Sequence, residues 1–206
     1  MSLETFLYLV PLLLASLVLH ELAHALVATR LGDPTPREQG RLTLNPLPHL
    51  DPLGTAMFAL TAFASSFIFG WARPVLVQPR YFRRPQLDMA LVALAGPATN
   101  FLLALLCAAY LVHGNASGDV FEVLVRAYEV NIVLGIFNLI PVPPLDGSRI
   151  AGALLPQGLY ARWASLDQVG MLALFALIFV FNEQFWEVFG EVLDRSTEVM
   201  VRIVGG

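Results

Sequence analysis

Residues 17–26 read LVLHELAHAL, two histidines and a glutamate inside a run that is otherwise hydrocarbon. His20 and His24 are four apart, about one turn and about 6 Å along a helix axis, so their imidazoles share one face and can grip a single ion. Glu21 adjoins that face. In zinc hydrolases with this spacing the intervening glutamate does not bind the metal; it takes a proton from water that the ion has acidified. The plain alternative is that both histidines are polar glue between helices and Glu21 pairs with an arginine. An ionisable group inside a membrane segment costs about 2.5–3.5 kcal/mol on insertion scales, which argues for a compensating role such as metal binding.

A catalytic zinc wants three protein ligands and one open position. No third histidine lies in a suitable place, so the search turns to carboxylates beside apolar helices. In NLIPVPPLDGSRI, residues 138–150, Pro141, Pro143 and Pro144 break the helix ending near Ile140 and leave Asp146 on unwound backbone. Asp146 is the expected third ligand. Gly147 permits a tight turn, and Ser148 is placed to cap the short helix that follows. The alternative is that Asp146 serves only as a turn or helix-start carboxylate.

The elements that must position these residues follow from composition. The chain is 57% apolar and 14% charged, against roughly 45–50% and roughly 25% in soluble domains. That reads as an integral membrane protein, with the lipid bilayer as its first partner. Net charge is -4 and every basic residue is an arginine in a short loop or at a segment end, so no nucleic-acid patch is present. The single cysteine, Cys107, excludes a disulfide framework within one chain and reads as a small buried hydrophobe. The N-terminus lacks the basic region of a cleaved signal and is read as part of the mature protein.

Apolar runs at Thr5–Leu31, Met89–Val112, Val120–Ile140 and Leu166–Phe181 approach the roughly 20 residues that cross a bilayer as helices. A fifth run, Leu53–Gly70, is shorter and rich in small residues. Arg30, Arg37 and Arg41 precede it and Arg73, Arg80, Arg83 and Arg84 follow it, so by the positive-inside tendency it enters and leaves by the cytoplasmic face. It is expected to be re-entrant, with a full fifth span as the alternative. PVLVQPRYF after it has extended character and reads as an edge strand. Glu183, Glu187, Glu191, Asp194 and Glu198 recur at helical spacing with Phe185, Phe189 and Val192 between them, an amphipathic interfacial helix. The expected fold is therefore an all-α polytopic membrane protein of four to five transmembrane helices, the 53–70 re-entrant segment with its short extended stretch, and the C-terminal amphipathic helix. Residues 1–182 form one domain with a core at about 5–155, and 183–206 form the tail. The multi-pass chain sits in the cell membrane with its site toward the cytoplasm.

HELAH at 20–24, AGPATN at 95–100 and NLIPVPPLDG at 138–147, in that order on separate helices, resemble the site-2 protease family of intramembrane zinc metalloproteases. The resemblance covers about 15–155. It implies one Zn2+ per chain held by His20, His24 and Asp146, Glu21 as general base, a core of three transmembrane helices, and hydrolysis of peptide bonds in or near the transmembrane segments of protein substrates. NPLPHLDPLG and WARPV resemble the small members without regulatory domains. Larger members carry a helix before the one bearing HELAH, which is absent here.

Gly96 and Pro97 are expected to open the Met89–Val112 helix, with Asn100 a turn later. The resemblance favours Asn100 as a contact to the substrate backbone or the developing oxyanion over a helix–helix hydrogen bond. Asn138 is read as bonding carbonyls beside the proline break. His49 either approaches the metal or substrate or is a solvated loop histidine, and His113 is interfacial. An unwound substrate segment would add to the strand edge at PVLVQ. Two rivals remain: a catalytically silent adaptor or chaperone of the same fold, which the intact His20, Glu21, His24 and Asp146 disfavour, and a metal transporter, which would need ligands on several helices. A downstream glutamate in place of Asp146 would mark another class of membrane zinc protease.

Overall fold

Without water in reach, a long apolar run satisfies its backbone groups only by coiling on itself, and the two longest runs do so. The computed structural model describes residues 3–64 and 70–205. Among them nine α-helices follow in order: α1 (Leu3–Arg30), α2 (Thr35–Glu38), α3 (Pro52–Ala64), α4 (Pro85–His113), α5 (Asp119–Asn138), α6 (Asp146–Gly152), α7 (Gln157–Ala164), α8 (Asp167–Phe179) and α9 (Asn182–Gly205). Tyr8–Arg30 of α1 and Pro85–His113 of α4, with mean hydropathies of 1.8 and 2.0, are long and apolar enough to cross a membrane. Among the described residues the chain is all-α, as expected.

The central helix is α4, packed along α1, α5 and α6. Ala25 and Ala28 of α1 and Ala93 and Ala104 of α4 are buried, and such small side chains let helix backbones approach closely. Gly32, at φ +109°, turns the chain out of α1 through the left-handed region that favours glycine. Asp33 then accepts the backbone N–H groups of Thr35 and Gln78.

Pro85 starts α4 at the position where a missing N–H costs nothing, and Asp88 accepts the N–H of Arg84. The helix thus begins earlier than Met89. Gly96 and Pro97 lie in its interior and do not open it, a correction to the sequence reading.

The ends of the 53–70 segment lie side by side. Leu50 and Ala72 form an isolated antiparallel bridge, and a Cβ on Gly54 would stand 2.2 Å from the Trp71 carbonyl oxygen. The 13 residues of α3 span about 20 Å, short of a roughly 30 Å hydrocarbon core; residues 65–69 of this segment lie outside the described residues. The edge strand expected at 74–78 is not formed among the described residues. Pro74 and Pro79 lack donors, and the amides of Val75 and Gln78 go to the carboxylates of Glu21 and Asp33 instead of a strand partner.

Helix α5 matches the expected third run to within two residues at each end, with Asp119, Glu122, Arg126 and Glu129 in its first three turns. Helix α8 has 13 residues, fewer than the run at Leu166–Phe181, because α7 and a turn precede it and α9 follows directly. Leu174 and Ile178 of α8, Phe185 and Phe189 of α9, and Leu145 form one buried cluster, joined by Phe137 of α5. From that cluster α9 runs along α4 and α5 until its Val204 carbonyl accepts the His113 Nε2–H at 2.7 Å. Glu183, Glu187, Glu191, Asp194 and Glu198 remain on its exposed face.

Candidate metal centre

Helix α1 buries His20, Glu21 and His24 against α4, with the two imidazoles in an edge-to-face arrangement at 4.6 Å between centroids. Asp146 reaches them from the far side of the proline break. After α5 ends, the chain turns through Leu139–Leu145, with Val142 N–H bonded to the Ile140 carbonyl and Leu145 N–H to that of Val142. The break admits no side chain at the next position, since a Cβ on Gly147 would lie 2.1 Å from the Leu139 carbonyl oxygen. Leu145, buried in the α8–α9 cluster, anchors the turn so that Asp146 begins α6 facing α1. Ser148 does not cap α6. It lies inside the helix and its hydroxyl donates to the Leu145 carbonyl. Asn138 donates to the Leu134 carbonyl in the last turn of α5.

Three ligand atoms converge. His20 Nε2 and His24 Nε2 are 3.0 Å apart, and Asp146 Oδ2 lies 3.1 and 3.2 Å from them. The protonation of the imidazoles follows from their other nitrogens. His24 Nδ1 stands 2.7 Å from the Val92 carbonyl, which only accepts, so Nδ1 carries the proton. For His20 the same result passes through two amides. Asn131 Nδ2 donates to the Ala127 carbonyl at 2.8 Å and to Ser16 Oγ, which turns Asn131 Oδ1 toward Asn100 Nδ2 at 2.9 Å. Asn100 Oδ1 therefore faces His20 Nδ1 at 2.6 Å as an acceptor.

With Nδ1 holding the proton, each imidazole in its neutral form turns the Nε2 lone pair toward the Asp146 carboxylate, the arrangement in which two histidines and one carboxylate bind a cation. Two ligands on one tetrahedral zinc, at bond lengths of about 2.1 Å, stand about 3.4 Å apart, so the donor set fits such an ion. Anchoring of the second ring nitrogen is also what metal-binding histidines need to hold their orientation.

Glu21 stays outside the converged set, its Oε2 accepting the Val75 N–H at 3.1 Å. It opens with the three candidate ligands onto a cavity of about 340 Å³ whose far wall includes Met171 and Leu174 of α8. Asn100 is 0% exposed and both its amide atoms are engaged, so its partner is His20 in place of the expected substrate. His49 is not brought to the cavity. It is 0% exposed, donates from Nε2 to the Thr43 carbonyl, and is neither solvated nor beside Asp146. Sequence reasoning passed over Asn131. Its signal was a lone amide in the apolar stretch VNIVLG, at a depth where polar groups are costly.

A family model described as Peptidase family M50 matches residues 113–181. Over 185 residues the chain is 41% identical to "Putative zinc metalloprotease YwhC" of Bacillus subtilis (strain 168), covering 84% of this chain and 80% of that protein. The chain belongs to peptidase family M50, the site-2 proteases. It is also 34% identical over 150 residues to "Putative zinc metalloprotease Rip2" of Mycolicibacterium smegmatis (strain ATCC 700084 / mc(2)155), covering 69% of this chain and 54% of that one. A third relative, "Putative zinc metalloprotease Rip3" of Mycobacterium tuberculosis (strain ATCC 35801 / TMC 107 / Erdman), is 30% identical over 147 residues, 70% of this chain and 30% of its own length. The chain thus spans about half of Rip2 and less of Rip3. No solved structure matches it. The M50 match contains Asp146 and Asn131 but not α1, and the fold joins the α1 histidines to that matched region.

The amide relay makes a prediction for this M50 member. Asn131→Leu removes the group that orients Asn100, and metal affinity is expected to fall about 10- to 100-fold, read by competition with a chromophoric chelator. Unchanged affinity would show that His20 keeps its orientation without the relay.

Proposed function

We propose that this chain is an intramembrane zinc metalloprotease that hydrolyses peptide bonds in or near transmembrane segments of protein substrates. The observation that carries the reading is the meeting of His20 Nε2, His24 Nε2 and Asp146 Oδ2 within 3.2 Å, with Glu21 beside them and unused as a ligand. A two-histidine, one-carboxylate set also suits iron(II). The adjacent carboxylate and the relatives' names favour zinc.

When bound by His20, His24 and Asp146, zinc supplies Lewis acidity that polarises a carbonyl and acidifies water. Glu21 takes the proton from the attacking water and returns it to the leaving amine, the role its position on the cavity wall suits. Asn100 and the Val92 carbonyl hold the two imidazoles in one tautomer throughout. Peptide bonds of a membrane helix are locked in its own hydrogen bonds, so a substrate segment must unwind before it fits between α1 and α8. Arg30, Arg37, Arg73, Arg80, Arg83 and Arg84 cluster at the α1–α4 connection, which supports a cytoplasmic orientation of that end.

The test is cleavage of a single-span reporter by the purified chain in nanodiscs. Chelation is expected to abolish cleavage and one equivalent of zinc to restore it, with elemental analysis reading one zinc per chain. A folded chain that holds no metal, or a rate indifferent to chelation, refutes the reading. Asp146→Asn is expected to lower zinc affinity by at least about tenfold and cleavage with it. Full occupancy and full rate in that variant would assign the third ligand elsewhere.

A further inference from the structure

The connection between α1 and α4 is built around a buried cation. Arg41 is 3% exposed. Its Nη1 donates to the Pro48 carbonyl, and its Nη2 donates to the carbonyls of Arg73 at 3.0 Å and Pro74 at 2.8 Å. Among the described residues no carboxylate lies within ion-pair distance of it. Burying an unpaired guanidinium is costly, and here the carbonyl dipoles of two separate chain segments offset that cost. Among the described residues the 48–50 and 72–74 stretches also meet at the isolated Leu50–Ala72 bridge, which includes the bond from the Arg73 N–H to the His49 carbonyl at 2.8 Å. His49 belongs to the same construction, its imidazole bracing the loop at Thr43. So fragmentary a pairing does not hold itself together.

What the clamp fixes is the residue that comes next. Val75 follows the clamped Pro74, and its N–H is the donor on Glu21 Oε2. We propose that Arg41 is a positioning residue for Glu21, acting through the Pro74 carbonyl and the Val75 N–H and touching none of the reacting atoms. The proposal rests on the reading of Glu21 as the base. Burial pulls the Arg41 pKa below its ordinary value and the Glu21 carboxylate pushes it back up, so the two charges sense each other across the clamp. The planar fork explains why arginine stands here, since it reaches three carbonyls at fixed angles where an ammonium on a flexible stem cannot. The NPLPHLDPLG and WARPV stretches thereby gain a common purpose: they supply the carbonyls that Arg41 gathers.

The experiment compares Arg41→Met and Arg41→Lys with the wild-type chain in nanodiscs, reading kcat and KM on a single-span reporter, zinc content, and hydrogen exchange of the peptide over residues 71–78. Arg41→Met is expected to lower kcat roughly 100-fold, the scale of an ångström-sized misplacement, with KM and zinc content unchanged and the Val75 amide exchanging faster. Arg41→Lys keeps the charge but not the fork, so an intermediate kcat is expected, and it stands in if the Met variant does not fold. Guanidinium ion added to Arg41→Ala should recover part of kcat. Unchanged kcat, a rise in KM alone, lost zinc, or unchanged exchange each overturns the proposal. A wild-type chain that cleaves no reporter counts against the protease reading instead, whereas wild-type and Arg41→Met cleaving equally refutes only the role of Arg41.

Discussion

Glu21→Gln is expected to suppress cleavage of a single-span reporter by roughly 10²- to 10⁴-fold, the usual worth of a positioned proton carrier, while zinc content stays at the wild-type level. The two halves of this result have separate physical causes. Glutamine keeps the size of the side chain and an oxygen that can still accept the Val75 N–H, so the packing around α1 is preserved. It cannot take up a proton from water. The candidate ligand atoms on His20, His24 and Asp146 are untouched because Glu21 is not among the groups that converge. Zinc lost together with activity would mean that Glu21 helps to hold the ion, and full activity would remove it from the chemistry.

The second large effect comes from a residue with no side chain. A Cβ on Gly96 would lie 2.4 Å from His24 Nε2 and 2.5 Å from His20 Nε2. The imidazoles cannot swing aside cheaply, because their Nδ1 atoms are tied to Asn100 and Val92 on the same helix, α4, that carries Gly96. Gly96→Ala therefore trades the metal centre against about 1–3 kcal/mol of overpacking. Zinc affinity is expected to fall by at least about 100-fold, since both ligand nitrogens are displaced at once. The helices themselves should remain, as judged by circular dichroism. Gly190→Ala is the matching control: beyond the backbone of its own helix no atom lies within 4 Å of its added methyl group, so binding and cleavage should not change. Unaltered zinc binding in Gly96→Ala would show that α1 and α4 stand farther apart than this structure has them.

Much of the centre could be read one segment at a time because its parts obey local rules. Four residues make one helical turn, so His20 and His24 share a face wherever α1 lies. Three prolines within four positions end a helix in any context, which singles out Asp146 whatever its distance to the histidines. An apolar composition with few charges marks a membrane class without any coordinates. The start of α4 was misplaced because Pro85 and Asp88 lie outside the apolar run that defined the segment, though the cap they form is itself local. The strand at 74–78 failed for another reason. Its pattern was extended, but whether an extended stretch becomes a strand depends on what accepts its amides, and here two carboxylates do.

Periodicity and proline chemistry are written into neighbouring residues, so the amino-acid order alone determined the helical, apolar class and singled out the imidazole pair, the glutamate between them and the aspartate after the break. Folding settled the partnerships across 31, 54 and 80 positions that link Asn131 to Asn100, Val75 to Glu21 and Asn100 to His20. Those depend on which helix faces lie together in space, and no local spacing encodes them; only close packing brings an amide to an imidazole, or leaves room at Gly96 for nothing larger than hydrogen.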